Sequence, residues 1–300
     1  MVESILEQKA KGKRQKAKLF PLLCALCLLV VNSFSQTLDF YAEKIRNGSA
    51  EEKRSALFDL RNLETPEASR IAVPALRDKD EMVRVTAAYS VVFLPPDEAA
   101  QALLPNLGDK SVYVRKETSY ALGKARSSIA VRPLVEIMGR DKASDVRSAA
   151  IVALGEIGDV AAVDSLLKAL QQPPKNAGDF FRRSAVRAIG QIAQVQQVQA
   201  NYVVTPESTL PEKYDVFANL KYTNLTEKFP VFRQSISLLL PILQNQKESD
   251  DVRREAAFAL GSIGDESAIS TLQNNLSARD YYLVEICRES LQKILSGRPV

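Results

Sequence analysis

One recurring phrase restricts the possible folds of this chain more than any other feature. The phrase is a hydrophobic residue, Arg, two variable residues, small residues, and then Leu-Gly or an equivalent pair. It is clearest as VRSAAIVALGEIGD from Val146. Other copies begin at Val83, Val114, Phe181 and Val252, and weaker ones at Lys53 and Val284. A phrase repeated every 20 to 50 residues or so is typical of solenoids and related repeat architectures.

The spacing of the phrase predicts what each repeat contains. Its arginines, with the residue that replaces Arg in the last copy, are Arg54, Arg84, Arg115, Arg147, Arg182, Arg253 and Glu285. The first four steps are 30, 31, 32 and 35 residues, and the fifth is 71. A period near 31 suits two short helices with turns. Apolar residues within each phrase recur at helical spacing, and leucine-rich segments such as AVDSLLKALQQ lie between phrases. We therefore predict an all-α fold, a right-handed α-solenoid of about seven helical hairpins.

Small residues and glycines explain how such hairpins could stack. Alanines four and seven positions after the hydrophobic residue would let neighbouring helices approach closely. The glycines of LGEIGD and LGSIGD are predicted to end helices. In Gly158-Asp159 and Gly264-Asp265, Gly would adopt the left-handed conformation and Asp would cap the next helix.

The segment DKASDVRSAAIVALGEIGD, residues 141–159, resembles the HEAT repeat family, in particular the short HEAT-like repeats of the phycobilisome-lyase type. This resemblance extends over nearly all of the chain after residue 35 and implies HEAT-like hairpins. It says little about function, because one fold serves many functions. Two similar enzymes are the bilin lyases and deoxyhypusine hydroxylase, which binds iron through His-Glu pairs. The chain has no His, so none of those ligands can be transferred to it.

The N-terminal residues have the order of a secretory signal peptide. Six Lys or Arg residues precede an apolar run of 13 residues, Leu19–Val31, and small residues follow up to Ser35. We predict a signal peptide over 1–35 and export to the periplasm or the exterior. The alternatives are an uncleaved membrane anchor, which would be the chain's only membrane contact, and a lipoprotein carrying lipid at Cys24 or Cys27.

Removal of residues 1–35 changes the charge of the chain. The net charge of +4 belongs to this segment, and 34 basic and 34 acidic residues remain. A neutral chain argues against a nucleic-acid partner. The lack of His removes the commonest general base and metal ligand, and Cys287 lies among apolar residues at helical spacing. We therefore expect no catalytic residues, no metal and no cofactor.

The 71-residue step predicts an inserted loop at about 193–230, within a repeat domain of residues 36–300. It is rich in aromatic residues: Tyr202, Tyr214, Phe217, Tyr222 and Phe229. Loops of this length inside compact domains are usually functional or disordered. The insertion could be an arm that helps to hold a partner, or it could pack its aromatics on the solenoid without a role.

Two columns of residues recur with the phrase. The arginines Arg84, Arg115, Arg147, Arg182 and Arg253 are predicted to form a structural ladder with acidic or carbonyl groups of the turns. Six residues after the hydrophobic position stand Tyr89, Tyr120, Val152, Arg187 and Phe258, on the side of the helix away from its apolar face. They could line a concave groove, or neighbouring helices could bury them.

The sequence thus predicts an exported, non-catalytic scaffold that binds a protein or peptide along its concave face. One alternative is a lyase-like or hydroxylase-related repeat protein that handles a small ligand or cofactor. Another is a purely structural solenoid within a larger complex.

Overall fold

The computed structural model describes residues 36–173, 178–198 and 221–296, and over these ranges it contains helices and no strand. The helices are α1 (36–47), α2 (Ala50–Asn62), α3 (Pro66–Ala72), α4 (Glu81–Ser90), α5 (Pro96–Leu103), α6 (Val112–Ala125), α7 (Val131–Arg140), α8 (Ser144–Ile157), α9 (Val163–Gln171), α10 (Asp179–Val198), α11 (Leu225–Lys228), α12 (Val231–Gln244), α13 (Asp250–Ile263), α14 (Ile269–Asn274) and α15 (Tyr281–Ser296). The predicted all-α fold is confirmed. None of the described helices is both long and apolar enough to cross a membrane.

The helices that carry the recurring phrase form one continuous stack. These phrase helices are α2, α4, α6, α8, α10, α13 and α15, and each packs against the next. Before each one from α4 onward lies a helix that packs on it, so that successive hairpins share one apolar core. This arrangement is an α-solenoid, as predicted. The count of seven full hairpins stays a prediction.

Local chemistry fixes where the phrase helices begin and end. At their N-termini, Asp80 accepts a hydrogen bond from the Val83 N–H at 3.0 Å, and Ser111 and Ser249 cap their helices in the same way. At their C-termini, Gly158 and Gly264 have φ values of 76° and 79°, a conformation that favours glycine. The predicted caps at these two glycines are confirmed.

The Leu-Gly glycines have a different role from the predicted one. Gly155 and Gly261 lie inside α8 and α13, so the expectation that they end helices is wrong. A Cβ at Gly155 would stand 3.0 Å from the Ala188 Cα, and one at Gly261 would stand 2.7 Å from the Ser290 Cα. These glycines let one phrase helix lie directly against the backbone of the next.

Packing also corrects the alignment of the two weak copies. Gly190 meets Ala259 and Gly261 meets Ser290, which makes Leu283, not Val284, the counterpart of Val252. Glu285 therefore does not occupy the Arg column. In α2 the N-cap Ser49 corresponds to Asp80, which places Lys53 in that column and leaves Arg54 exposed on the surface.

The stack continues across the predicted insertion. Helix α10 extends to Val198, five residues beyond the predicted start of the loop, and it packs directly on α13. Tyr202, Tyr214 and Phe217 lie outside the described residues. Tyr222 is only 3% exposed, and Phe229 packs edge-on against Phe232 with ring centroids 6.1 Å apart. The described end of the predicted insertion, residues 221–230, is thus bound to the solenoid, and we call it the return segment.

Candidate binding face of the phrase helices

Side-chain pairs between successive repeats hold the phrase helices in register. Arg84 donates two hydrogen bonds to the Asp109 carboxylate at 2.8 and 2.9 Å, and a third to the Asp78 carbonyl oxygen at 2.9 Å. Arg115 binds Asp141 in the same bidentate way at 2.7 and 3.0 Å. Each Arg therefore joins the turn of its own repeat to the turn of the next.

The ladder changes its partners along the chain. At its start Lys53 donates to Asp78 at 2.7 Å. Further on, Arg147 donates to the Asp141 carbonyl oxygen at 2.8 Å, Arg182 to Glu248 at 2.9 Å, and Arg253 to the Asn275 side chain at 2.8 Å. In the last step Arg254 binds Asp280 at 2.7 and 2.8 Å. All five predicted ladder arginines lie at these inter-repeat turns.

The ladder aspartates are held in their ionised form. Burial raises the pKa of the Asp109 carboxyl, but hydrogen bonds from Arg84 and from the Ser111 N–H outweigh it, so that the pKa is lowered overall. The pKa of Asp141 is lowered in the same way, because hydrogen bonds from Arg115 and the Ala143 N–H outweigh the effect of burial. These charged groups therefore pair with each other within the fold, and other residues form the neighbouring face of the phrase helices.

The predicted outward column lies on one side of the stack. Tyr89, Tyr120, Val152 and Arg187 are partly exposed on α4, α6, α8 and α10. Phe258 departs from this expectation because it is only 4% exposed. A Cβ at Gly190 would stand 2.7 Å from its Cδ1 atom, and the Lys293 ammonium lies 5.6 Å from its ring centroid on the other side. Phe258 therefore fills space between helices and is removed from the column.

Phe58 takes a place in the column that the sequence analysis missed. It lies in α2 five residues after Lys53, as Tyr89 lies five after Arg84, and it is 59% exposed. The sequence feature that could have revealed this position of Phe58 is the capping box Ser49-x-x-Glu52. It fixes the start of α2 and hence the alignment of the weak copy. We call Phe58, Tyr89 and Tyr120 the aromatic column, because the three rings recur every 31 residues on stacked helices.

Charged groups surround the aromatic column. The Arg61 guanidinium lies over the Tyr89 ring, 5.3 Å from its centroid, and the Tyr89 hydroxyl donates to Glu117. Burial and this hydrogen bond raise the pKa of the Tyr89 phenol. Burial also raises the pKa of Tyr120. Both phenols therefore stay protonated at neutral pH and present an apolar ring with a polar tip.

The C-terminal half of the same face is closed by ion pairs. Arg187 donates to Glu255 at 2.8 Å, and Arg183 lies 3.4 Å from Asp251. Lys293 covers both Phe258 and Tyr222, with 5.6 Å from its ammonium to each ring centroid. On this face, the aromatic rings that stay at least partly exposed are therefore those of the aromatic column, on α2, α4 and α6.

Reactive groups in the described ranges are few. These residues contain no group of three or more His, Cys, Asp or Glu side chains that could hold a metal ion. The Cys287 thiol is buried, and burial raises its pKa to about 12, so it is protonated at neutral pH.

Comparisons with solved structures show the fold alone. One is an engineered protein with 20% identity and a TM-score of 0.52, covering 87% of this chain and 69% of that one. Another is a phycocyanin lyase complex from Nostoc sp., with 17% identity, a TM-score of 0.44, and coverage of 86% and 94%. Human deoxyhypusine hydroxylase has 17% identity, a TM-score of 0.37, and coverage of 86% and 84%. No curated protein matches the chain.

Two sequence models of repeat families match the chain. Residues 100–190 match the model of HEAT repeats, and residues 252–278 match that of the PBS lyase HEAT-like repeat. Both segments contain copies of the recurring phrase and lie in the stack described above. Over these residues the chain is therefore built of HEAT-like repeats, the family that its recurring phrase predicts.

Proposed function

We propose that this protein is an exported, non-catalytic scaffold that binds a protein or peptide partner along the concave face of its solenoid, formed by the phrase helices. The observation that carries the proposal is the aromatic column of Phe58, Tyr89 and Tyr120. Three partly exposed rings stand at matching positions of three successive helices, with Arg61 over one of them. Aromatic residues and Arg are the commonest energetic centres of protein interfaces.

The geometry favours an extended partner. Equivalent residues of stacked helices recur once per repeat, so the three rings form a line and not a closed pocket. An extended peptide can place several of its side chains against such a line. The hydroxyl of Tyr89, with Glu117, and the pair Lys116–Glu117, 3.1 Å apart, add polar groups that could fix its position. The alternative of a small ligand or cofactor has no comparable support among the described residues.

A peptide-display selection tests this proposal. The chain from residue 36 onward is used to select from a library of random extended peptides, and the affinity of the enriched peptides is measured by fluorescence anisotropy. We expect the triple variant Phe58→Ser, Tyr89→Ser, Tyr120→Ser to bind the enriched peptides at least about tenfold more weakly, since buried aromatic anchors commonly contribute 2 kcal/mol or so each.

The matched control removes exposed apolar side chains from elsewhere on the surface. The variant Ile129→Ser, Leu276→Ser changes residues that are 41% and 37% exposed in short 3-10 helices outside the phrase helices. It should keep full affinity. Thermal unfolding monitors the fold of both variants. A selection that enriches no peptide, or equal losses in the two folded variants, would favour the purely structural solenoid.

A further inference from the structure

Each inter-repeat turn separates an acidic side chain from a basic one. The dipeptides Asp78-Lys79, Asp109-Lys110 and Asp141-Lys142 occupy the same place in three successive repeats. Their aspartates point inward and bind Lys53, Arg84 and Arg115. Their lysines are exposed. The ladder thus neutralises the acidic half of each dipeptide and leaves the basic half on the surface.

These lysines belong to a longer row at the N-terminal ends of the phrase helices. The row consists of Lys79, Lys110, Lys142, Lys247 and Arg279, which are all exposed. Within the described ranges none of their side chains forms an ion pair, and Arg77 and Arg140 stand exposed and free of ion pairs beside the row. Because the phrase helices stack in parallel, the row follows a single edge of the solenoid.

Most acidic side chains at this edge already have basic partners. Asp280 binds Arg254 at 2.7 Å, Asp251 lies 2.8 Å from Arg254, and Asp250 lies 3.4 Å from Arg253. Among the described residues of these turns and first helical turns, the acidic side chains without an ion pair are Glu51, Asp80, Glu81, Asp145 and Asp179. Seven exposed cations outnumber these five acids, so the edge is positively charged.

The same edge carries exposed apolar side chains. Met82, Val112, Tyr113, Phe180, Tyr281 and Tyr282 lie in the first turns of phrase helices and are between 42% and 68% exposed. Tyr281 and Tyr282, at 68% and 66%, are the most exposed. We call the row of cations together with these apolar side chains the basic–aromatic edge.

We propose that the basic–aromatic edge lies on the surface of an anionic lipid bilayer. Tyr and Phe prefer the interface between headgroups and acyl chains, and Lys and Arg are attracted to anionic headgroups. Long basic side chains can reach the headgroups while the aromatic rings enter between them. Contacts of this kind need protruding side chains along an edge, which is what the turns provide.

This surface is separate from the aromatic column. The column lies on the sides of α2, α4 and α6, whereas the edge lies at the N-terminal ends of the phrase helices. At the opposite ends, the return segment from the insertion contacts the solenoid, where the Thr223 N–H donates to the Gln197 side-chain oxygen at 3.0 Å. A peptide on the column and a bilayer at the edge could therefore be bound together, and either proposal can fail alone.

Vesicle co-sedimentation tests the proposal with the chain from residue 36 onward, which contains the whole described core. The vesicles are either phosphatidylcholine alone or a mixture with phosphatidylglycerol. We expect binding to the mixed vesicles only, and weaker binding as salt is raised. The variant Lys79→Gln, Lys110→Gln, Lys142→Gln should bind at least about tenfold more weakly, since each cation near an anionic surface contributes to binding.

The control variant Arg132→Gln, Lys168→Gln, Arg233→Gln removes the same charge from exposed positions on α7, α9 and α12. It should bind mixed vesicles like the unchanged chain. A further variant, Tyr113→Ser, Tyr281→Ser, Tyr282→Ser, should also bind more weakly, although its charge is unchanged. Equal losses in the two charge variants would overturn the proposal. So would binding to polyglutamate without binding to vesicles, which would indicate an acidic protein partner instead.

Discussion

Arg84 and Asp109 belong to different repeats, and their pairing shows how single residues hold the stack together. The side chains are 7% and 12% exposed, so their two hydrogen bonds are largely shielded from water. Asp109 also accepts a bond from the Ser111 N–H at 2.8 Å, which shapes the turn before α6. One carboxylate thus fixes both a turn and the distance to the preceding repeat.

Replacing Asp109 with Ala should lower the free energy of unfolding by about 3 kcal/mol, because Arg84 would keep a buried charge without its partner. Urea denaturation followed by circular dichroism measures this change. Asp164→Ala is the matched control. Asp164 pairs with Lys168 at 2.7 Å, but its side chain is 53% exposed, and such surface pairs contribute about 1 kcal/mol or less. A loss of the same size in both variants would show that the ladder adds no special stability.

At the scale of elements, contact between phrase helices depends on residues without bulky side chains. Gly123, Gly155, Gly190 and Gly261 each face the backbone of the next phrase helix. Buried alanines such as Ala153 and Ala188 lie opposite two of them. Interior packing at this density leaves no space for an additional methyl group.

Gly261→Ala should therefore destabilise the protein by about 1–3 kcal/mol, although Ala favours helix, because its Cβ would meet Ser290. Gly139→Ala is the control. Gly139 lies inside α7, and no heavy atom is within 4 Å of the position of a Cβ there. This change should raise the stability by about 0.5–1 kcal/mol. Thermal unfolding compares the two variants, and changes of the same sign would contradict the close-packing role of Gly261.

At the scale of the whole molecule, the described core forms one cluster that extends from Ile45 to Ile294. Neighbouring repeats share this core. Helices α9, α12 and α14 follow one another in a second layer, which packs against the layer of phrase helices. The insertion therefore leaves the row of hairpins continuous, and its return segment contacts α10 and α15 through hydrogen bonds of Thr223 and Tyr222.

A chain that begins at Gln36 should consequently fold by itself, with a thermal midpoint equal to that of the full chain. Calorimetry measures both midpoints.

If residues 1–35 are a signal peptide, the protein recovered from outside the cytoplasm should have the intact mass of a chain that begins at Gln36. A large drop in the midpoint on truncation, or recovery of the full-length mass outside the cytoplasm, would contradict the signal-peptide prediction.

Much of the fold could be predicted from the sequence, because its signals are local and repeat. The 31-residue period and the apolar spacing of α8 predicted helical hairpins, and the Gly158-Asp159 pair predicted a helix boundary. The recurring arginines also indicated a ladder with acidic or carbonyl groups of the turns. However, they did not reveal that Arg84 binds the aspartate of the following repeat. That choice depends on the distance between helices.

The recurring phrase by itself determined that this chain forms a helical solenoid, since a periodic pattern needs no knowledge of distant contacts. Only the tertiary structure decided which outward residues stay exposed. Phe58 remains on the surface while Phe258 is buried under Lys293, although both occupy the same repeat position. The structure likewise showed that Lys110 is exposed, whereas the adjacent Asp109 is paired with Arg84. The physical reason is that exposure depends on neighbouring helices, whose side chains differ between repeats even where the phrase is the same.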